Sequence, residues 1–174
     1  PLLTAAEFQR DIVNNVIKTV RAQHQGKLII HSHDWMAGGV ITAYAKETGL
    51  PVLHTVHNVF TAHLPLEHLG GVGWQNYAQN LYLSFDHGRQ CVDCQATAIK
   101  NATMINFVGE CFLREVVNDY FMDRPIIPPS VREEVKAKYQ YGAARAIINA
   151  PASNMYPENC PHLARTYGGE DEIL

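Results

Sequence analysis

The sequence lacks the features that define several large classes of protein. No apolar run approaches the roughly 20 residues that span a bilayer as a helix, and the first residues lack the basic and then apolar pattern of a secretory leader. Lysine and arginine together number 14, against 17 acidic residues, and they are scattered along the chain. A nucleic-acid-binding protein usually shows a basic face. We therefore expect a cytoplasmic protein with neither a membrane nor a nucleic acid as partner.

Cysteine is also scarce, with four in 174 residues. That is too few for the dense disulfide framework of a small secreted domain. Cys91 and Cys94 have the spacing of a zinc-ligand pair, but a structural zinc site usually has a second matched pair. Cys111 and Cys160 stand alone in the sequence. We predict reduced thiols and no metal site.

Helix-like and strand-like patterns alternate along the chain. Apolar periodicity predicts five helices, over residues 4–25, 36–47, 94–101, 110–121 and 131–139. Short β-branched runs predict four strands, over residues 27–31, 51–56, 104–108 and 145–149. Capping boxes are predicted at Thr4–Glu7 and Ser130–Glu133, and residues 59–90 are predicted irregular apart from a helix over 74–85. This order is typical of a parallel sheet with helices on both faces, in a single α/β domain over residues 1–174.

Polar residues stand at the carboxyl end of each predicted strand. They are His31, His33 and Asp34 after the first strand, His57 and Asn58 after the second, Gly109 and Glu110 after the third, and Asn149 after the last. The carboxyl ends of parallel strands share one edge of the sheet, where ligands bind. This set is rich in neutral donors and acceptors and poor in cations. Such an edge suits a polyhydroxylated substrate better than a bare phosphate.

Four segments resemble, in order, motifs of the bacterial and plant starch and glycogen synthases. His31–Gly38 resembles His-x-His-Asp-Trp-x-x-Gly, Thr55–Asn58 resembles Thr-x-His-Asn, Asn101–Glu115 resembles a strand leading to Ser and a helix with Arg-Glu, and Ala146–Asn149 resembles a strand ending in Leu-Asn-Gly. The resemblance runs almost colinearly from about residue 28 to 160. The chain departs from the family pattern at Gly109, where Ser is usual, and at Ala150-Pro151, where Gly-Val is usual.

The resemblance implies a Rossmann-like fold and an incomplete N-terminal domain of a two-domain retaining glycosyltransferase. Residues 150–174 would then be the crossover toward an absent second domain. The implied reaction moves glucose from ADP-glucose or UDP-glucose to the 4-hydroxyl end of an α-1,4-glucan, without metal or cofactor, in the cytoplasm or in a plant plastid. The family binds the donor phosphates through a Lys-x-Gly-Gly loop and its second domain, so the isolated chain is predicted inactive. The expected partners are the nucleotide sugar, the glucan, the second domain and, through exposed apolar surface, another copy of the chain.

Carried over by motif, the resemblance also assigns roles to individual residues. His57 and Asp34 would be catalytic, with His57 against the donor glucose and Asp34 near the reacting centre. Oriented dipoles and carboxylates stabilise the positive charge that develops at the anomeric carbon. The substrate-binding residues would be His33, Asn58, Asn149 and Gly109. From the residues alone, His31, His54 and Trp35 are interpreted as structural.

Two other functions compete with this interpretation. A strand that ends in His31-x-His33-Asp34 also begins some amidohydrolase metal sites, to which His54 and His57 could add ligands. The barrel of such enzymes needs roughly 250 residues. The second alternative is a glucan-binding fragment without catalytic activity.

Overall fold

The computed structural model describes residues 1–120 and 126–149. Its strands are β1 (Ile30–His33), β2 (Val52–Val56), β3 (His63–Pro65), β4 (Leu83–Asp86), β5 (Arg89–Asp93), β6 (Met104–Phe107) and β7 (Ala144–Ala146). Its α-helices are α1 (Leu2–Asp11), α2 (Lys18–Gln23), α3 (Gly39–Glu47), α4 (Cys94–Asn101), α5 (Glu110–Val117) and α6 (Pro129–Gln140). A π-helical segment, Ile12–Ile17, joins α1 to α2, and 3₁₀ turns cover Trp35–Ala37, Leu66–Leu69 and Trp74–Asn80.

A parallel sheet in the order β1-β2-β6-β7 organises the described residues. One face of this sheet is buried under the helices that connect its strands. The buried side chains of that face are Ser32, Val52, His54, Val56, Ile105, Phe107 and Ala144. Apolar residues of α3, α4, α5 and α6 complete the core cluster there. The parallel α/β architecture predicted from the sequence is therefore confirmed.

The opposite face of the sheet is more open in the described part of the chain. It presents His31 and His33 on β1, Met104 and Asn106 on β6, and Arg145 on β7. The strands follow one another in one direction across the sheet, so right-handed crossovers bring all the connecting helices to the other face. The sequence predicts helices on both faces, whereas the described connecting helices pack on one.

The main error of the sequence analysis lies between residues 59 and 90. This segment is not irregular, because β3, β5 and β4 form an antiparallel sheet. The predicted helix over 74–85 is a 3₁₀ turn followed by β4. Strands of three to five residues carry too little alternation to stand out. The β4–β5 turn has positive φ at His87 and Gly88, so a His-Gly pair takes the place of the usual Asn-Gly signal.

Several predicted boundaries also shift. The first strand is Ile30–His33 rather than residues 27–31, so both His31 and His33 lie inside it. Neither predicted capping box forms: α1 begins at Leu2 without a side-chain cap, and Ser130 instead donates to Asp93 Oδ2 at 2.6 Å. The last strand is Ala144–Ala146, which leaves Asn149 three residues beyond its end.

Two further expectations concern membranes and the end of the chain. Among the described residues, no helix combines the length and the apolar character needed to cross a bilayer. The interpretation of residues 150–174 as a crossover lies outside the described residues.

Candidate functional site

The ends of β1 and β2 bring four of the predicted site residues together. The parallel register pairs His33 with Thr55, so the residues that follow each strand leave the sheet side by side. His33 and Asp34 come from the first strand end, and His57 and Asn58 from the second. We refer to these four residues as the polar edge.

Three imidazoles lie against one another at the polar edge. His33 Nδ1 is 3.1 Å from His57 Nε2, and the two rings are stacked with centroids 5.3 Å apart. The His31 ring lies 4.3 Å from that of His33, and His31 Nε2 is 2.9 Å from the hydroxyl of Thr55. The pKa of His33 is lowered by burial and by the neighbouring His31 and His57. A lowered pKa favours the neutral ring, which both donates and accepts hydrogen bonds.

Asp34 ties the two strand ends together. Its Oδ1 accepts from the main-chain N–H of His57 at 2.9 Å and of Asn58 at 3.3 Å. Its Oδ2 accepts from Asn58 Nδ2 at 3.1 Å. Asp34 has a positive φ of 49°, which a non-glycine residue adopts only where its surroundings hold it. The carboxylate predicted to lie near the reacting centre therefore holds the backbone that carries His57.

Helix α1 supports the loop that follows Asp34. The side chain of Gln9 is fully buried; its Oε1 accepts from Val40 N–H at 3.0 Å and its Nε2 donates to the carbonyl of Met36 at 3.2 Å. Gly39 has φ +46°, and a Cβ there would lie 2.3 Å from Gln9 Oε1. A Cβ on Gly38 would lie 2.5 Å from the carbonyl oxygen of Cys94. Close approach of α1 and α4 thus explains both the motif glycine, Gly38, and the Gly39 that follows it.

The residues interpreted as structural divide into two groups. His54 lies in the core as predicted, with Nδ1 2.8 Å from Ser32 Oγ, and burial lowers its pKa to about 3. Trp35 packs against a core cluster, also as predicted. His31 contacts Thr55 across the sheet, but its side chain is exposed and its ring lies beside that of His33, so its structural role stays a prediction. His31 and His33 lie together because residues two apart point to the same face of β1.

Gly109 and Asn149 also follow the carboxyl ends of parallel strands, but they are not among the four residues of the polar edge. Gly109 precedes α5 with an extended φ of −167°, and a Cβ there would meet nothing within 4 Å. The backbone would therefore accept the Ser of the family pattern. Asn149 is exposed, and the bond from Ile147 N–H to the carbonyl of Phe107 keeps its segment beside β6. Among the described residues, no hydrogen bond joins Asn149 to the polar edge.

Sequence reasoning gave no site role to two polar residues beside this group, although Thr55 belongs to the second motif. Thr55 and Asn106 occupy neighbouring strands in the same row as His33, and Arg145 of β7 continues the row. Asn106 Oδ1 is buried and has no partner among the described residues. The sequence feature that could have pointed to these residues is their polarity, because each lies inside a short run that is otherwise predicted to be a buried strand.

The geometry does not favour the amidohydrolase alternative. Within the part of the chain that the structure describes, no group of three or more His, Cys, Asp or Glu side chains could hold a metal ion. The Asp34 carboxylate faces the β2 loop, and His54 lies on the buried face of the sheet, away from His33. Cys94 is a buried free thiol whose pKa is raised to about 12 by burial, so it does not supply a ready thiolate ligand.

Comparison with known protein families agrees with the motifs. The family described as the starch synthase catalytic domain matches residues 5–124, which include the whole polar edge and Gly109. A search of curated proteins finds no match. Because the family match covers more than half of the chain, the chain belongs to the starch synthase catalytic domain family and is a glycosyltransferase of the glycogen and starch synthase type.

Proposed function

We propose that this chain contributes to transfer of glucose from ADP-glucose or UDP-glucose to the 4-hydroxyl at the nonreducing end of an α-1,4-glucan, with retention at the anomeric carbon. The observation that carries the proposal is the polar edge. There, two imidazoles in contact and a carboxylate-braced loop stand at the carboxyl ends of adjacent parallel strands. Ligands bind at this edge in α/β sheets of this kind.

The electrostatics of the polar edge support a sugar as ligand. Hydroxyl groups both donate and accept hydrogen bonds, and so do neutral imidazoles and the amide of Asn58. Burial and the neighbouring His31 and His57 lower the pKa of His33, which favours its neutral ring. The side chains of His33 and His57 are exposed, so they are open to a ligand.

His57 and Asp34 have separate roles in this proposal. His57 contacts the donor glucose, where its dipoles favour the positive charge that develops at the anomeric carbon. Asp34 is the positioning residue that holds the main chain of His57 and Asn58. Asn149 and Gly109, at the ends of the neighbouring strands, extend the sugar-binding surface, and His33 and Asn58 bind substrate hydroxyls.

The donor phosphates require cations that the polar edge does not provide, since its residues are His, Asp and Asn. We therefore propose that the chain alone does not synthesise glucan. Incubation of the chain with radiolabelled ADP-glucose or UDP-glucose and maltoheptaose tests this. We expect no labelled glucan, and transfer by the isolated chain would contradict it.

A binding experiment tests the site itself. Two-dimensional NMR titration of the chain with maltoheptaose and ADP-glucose should shift the amide signals of residues 31–34 and 55–58. The His57→Ala variant should weaken binding of at least one ligand roughly tenfold, a typical loss for a buried or oriented polar contact. His87→Ala is the matched control, since His87 is exposed on the β4–β5 turn. Equal binding by both variants would contradict the proposed site.

A further inference from the structure

Phe60 is the most exposed large aromatic residue near the polar edge. Its side chain is 60% exposed, and it follows His57 by three residues. Trp35, by contrast, is partly buried against a core cluster. Phe8 of α1 lines a cavity with His33 and is 47% exposed, so Phe60 is the more exposed of the two phenylalanine rings near the polar edge.

The loop that carries Phe60 is anchored on both sides. The N–H of Phe60 donates to Asn58 Oδ1 at 2.9 Å, and Asn58 Nδ2 donates to Asp34. Val59, which directly precedes Phe60, is buried. On the other side of Phe60, Thr61 Oγ1 donates to Asp93 Oδ1 at 2.5 Å. The immediate neighbours of Phe60 are held by the protein, so its exposure is a feature of the fold. A rigid loop also loses little conformational freedom when it binds a ligand.

The surroundings of Phe60 suit an uncharged ligand. Residues 57–63 contain no lysine, arginine, aspartate or glutamate. A glucose ring presents C–H groups on its faces and hydroxyls around its rim. An aromatic ring can pack against a C–H face while neighbouring polar groups bond the hydroxyls, a division of labour common in small-molecule sites.

We propose that Phe60 is the stacking surface for a glucose unit of the α-glucan acceptor, beside the hydroxyl-binding groups of His33 and His57. This inference rests on the proposed function and adds to it the side chain that recognises the glucan. We assign Phe60 to the acceptor rather than to the nucleotide sugar for a reason of charge. The acceptor is uncharged, and residues 57–63 contain no Lys, Arg, Asp or Glu to meet the phosphates of a nucleotide sugar.

The test compares maltoheptaose binding by the wild-type 174-residue chain and by three Phe60 variants. Binding is measured by NMR titration. Phe60→Ala should raise the Kd about three- to tenfold, the usual worth of one aromatic contact. Phe60→Trp should keep the wild-type affinity. Phe60→Leu should bind as weakly as Phe60→Ala, because a C–H face stacks on an aromatic ring and not on a branched aliphatic chain. Phe60→Leu binding as tightly as wild type would overturn the stacking role.

Controls separate this inference from the proposed function. Tyr141→Ala removes a ring that is 87% exposed. Tyr141 precedes β7 and so lies at the amino-terminal end of that strand, away from the polar edge, and its loss should leave binding unchanged. If wild type binds maltoheptaose, His57→Ala binds it more weakly and Phe60→Ala binds it normally, the role of Phe60 is refuted while the site stands. If Phe60→Ala weakens ADP-glucose binding and not maltoheptaose binding, the acceptor assignment is wrong. If wild type binds neither ligand, both proposals fail.

Discussion

Asp34 combines a positive φ with a carboxylate bonded across to the next strand. The three hydrogen bonds that it accepts connect the end of β1 to the loop that carries His57 and Asn58. An aspartate in a family motif is readily interpreted as a group that acts on the substrate. The geometry shows a more local task for this side chain, which is to shape the neighbouring loop.

Replacement of Asp34 with Asn tests this task while keeping a residue that tolerates positive φ. The amide has one oxygen where the carboxylate has two, so its NH₂ group must face either main-chain N–H groups or Asn58 Nδ2. We expect Asp34→Asn to lower the free energy of unfolding by about 1–3 kcal/mol, measured by urea denaturation. Asp86→Asn, on the exposed β4–β5 hairpin, should change it little. A loss no larger than that of the control would contradict the bracing role.

His54 gives the chain a pH-dependent stability. Burial lowers its pKa from 6.5 to about 3 in the folded state. Its stabilising contribution is thus fully present above pH 6.5 and is lost as pH falls toward the folded pKa, because the unfolded chain takes up the proton first. Between pH 6.5 and about pH 4 we expect a loss on the order of 3 kcal/mol. His54→Gln should reduce this slope in urea denaturation series, and an unchanged slope would show that other groups cause it.

At the scale of elements, the start of α3 is held between α1 and α4. Gln9 bonds both the loop before α3 and its first turn, and the absence of a Cβ on Gly38 and Gly39 permits this approach. The motif glycine is thus explained by packing between elements. No contact of glycine with a substrate is needed to account for it.

Two glycine substitutions separate packing from backbone strain. Gly39→Ala places a Cβ against Gln9 at positive φ, and we expect a loss of about 2–4 kcal/mol in the free energy of unfolding. Gly49→Ala also has positive φ, +72°, but its Cβ would meet open space. It should cost about 1 kcal/mol. Thermal and urea denaturation measure both, and equal losses would refute the role of Gln9.

At the level of the whole molecule, the described residues leave β1 as an edge strand of the parallel sheet and leave one face of that sheet open. Ile29, just before β1, is 67% exposed, and Met104 on β6 is 39% exposed. Parallel sheets usually have both faces covered. Apolar edges and faces of this kind favour association with another chain.

We therefore predict that the isolated chain self-associates through this surface. Sedimentation equilibrium should show an apparent mass that rises with concentration. Ile29→Lys should shift the chain toward monomer, because a charge at an edge opposes strand pairing. Tyr141→Lys, at an exposed position away from β1, is the control. A wild-type chain that stays monomeric at all concentrations would contradict the prediction.

The candidate site was predictable to the extent that it depends on strand ends. His33, Asp34, His57 and Asn58 each follow a short β-branched run, and the common edge of parallel strands brings such residues together. Asn149 was placed too close to the last strand because boundaries depend on tertiary hydrogen bonds that a local pattern does not contain. The second sheet was missed for a similar reason, since β3, β4 and β5 are stabilised by pairing with one another.

The parallel α/β class, the family and the location of the polar edge could all be predicted from the amino-acid sequence, because they follow from local periodicity and from motif order. Three properties became visible only in the folded chain: Asp34 braces a loop, His31 lies beside His33, and Phe60 faces outward. Those properties depend on which atoms meet across strands and loops far apart in the chain. Local sequence patterns specify the direction of a side chain within its own element, whereas its partners are set by packing between elements.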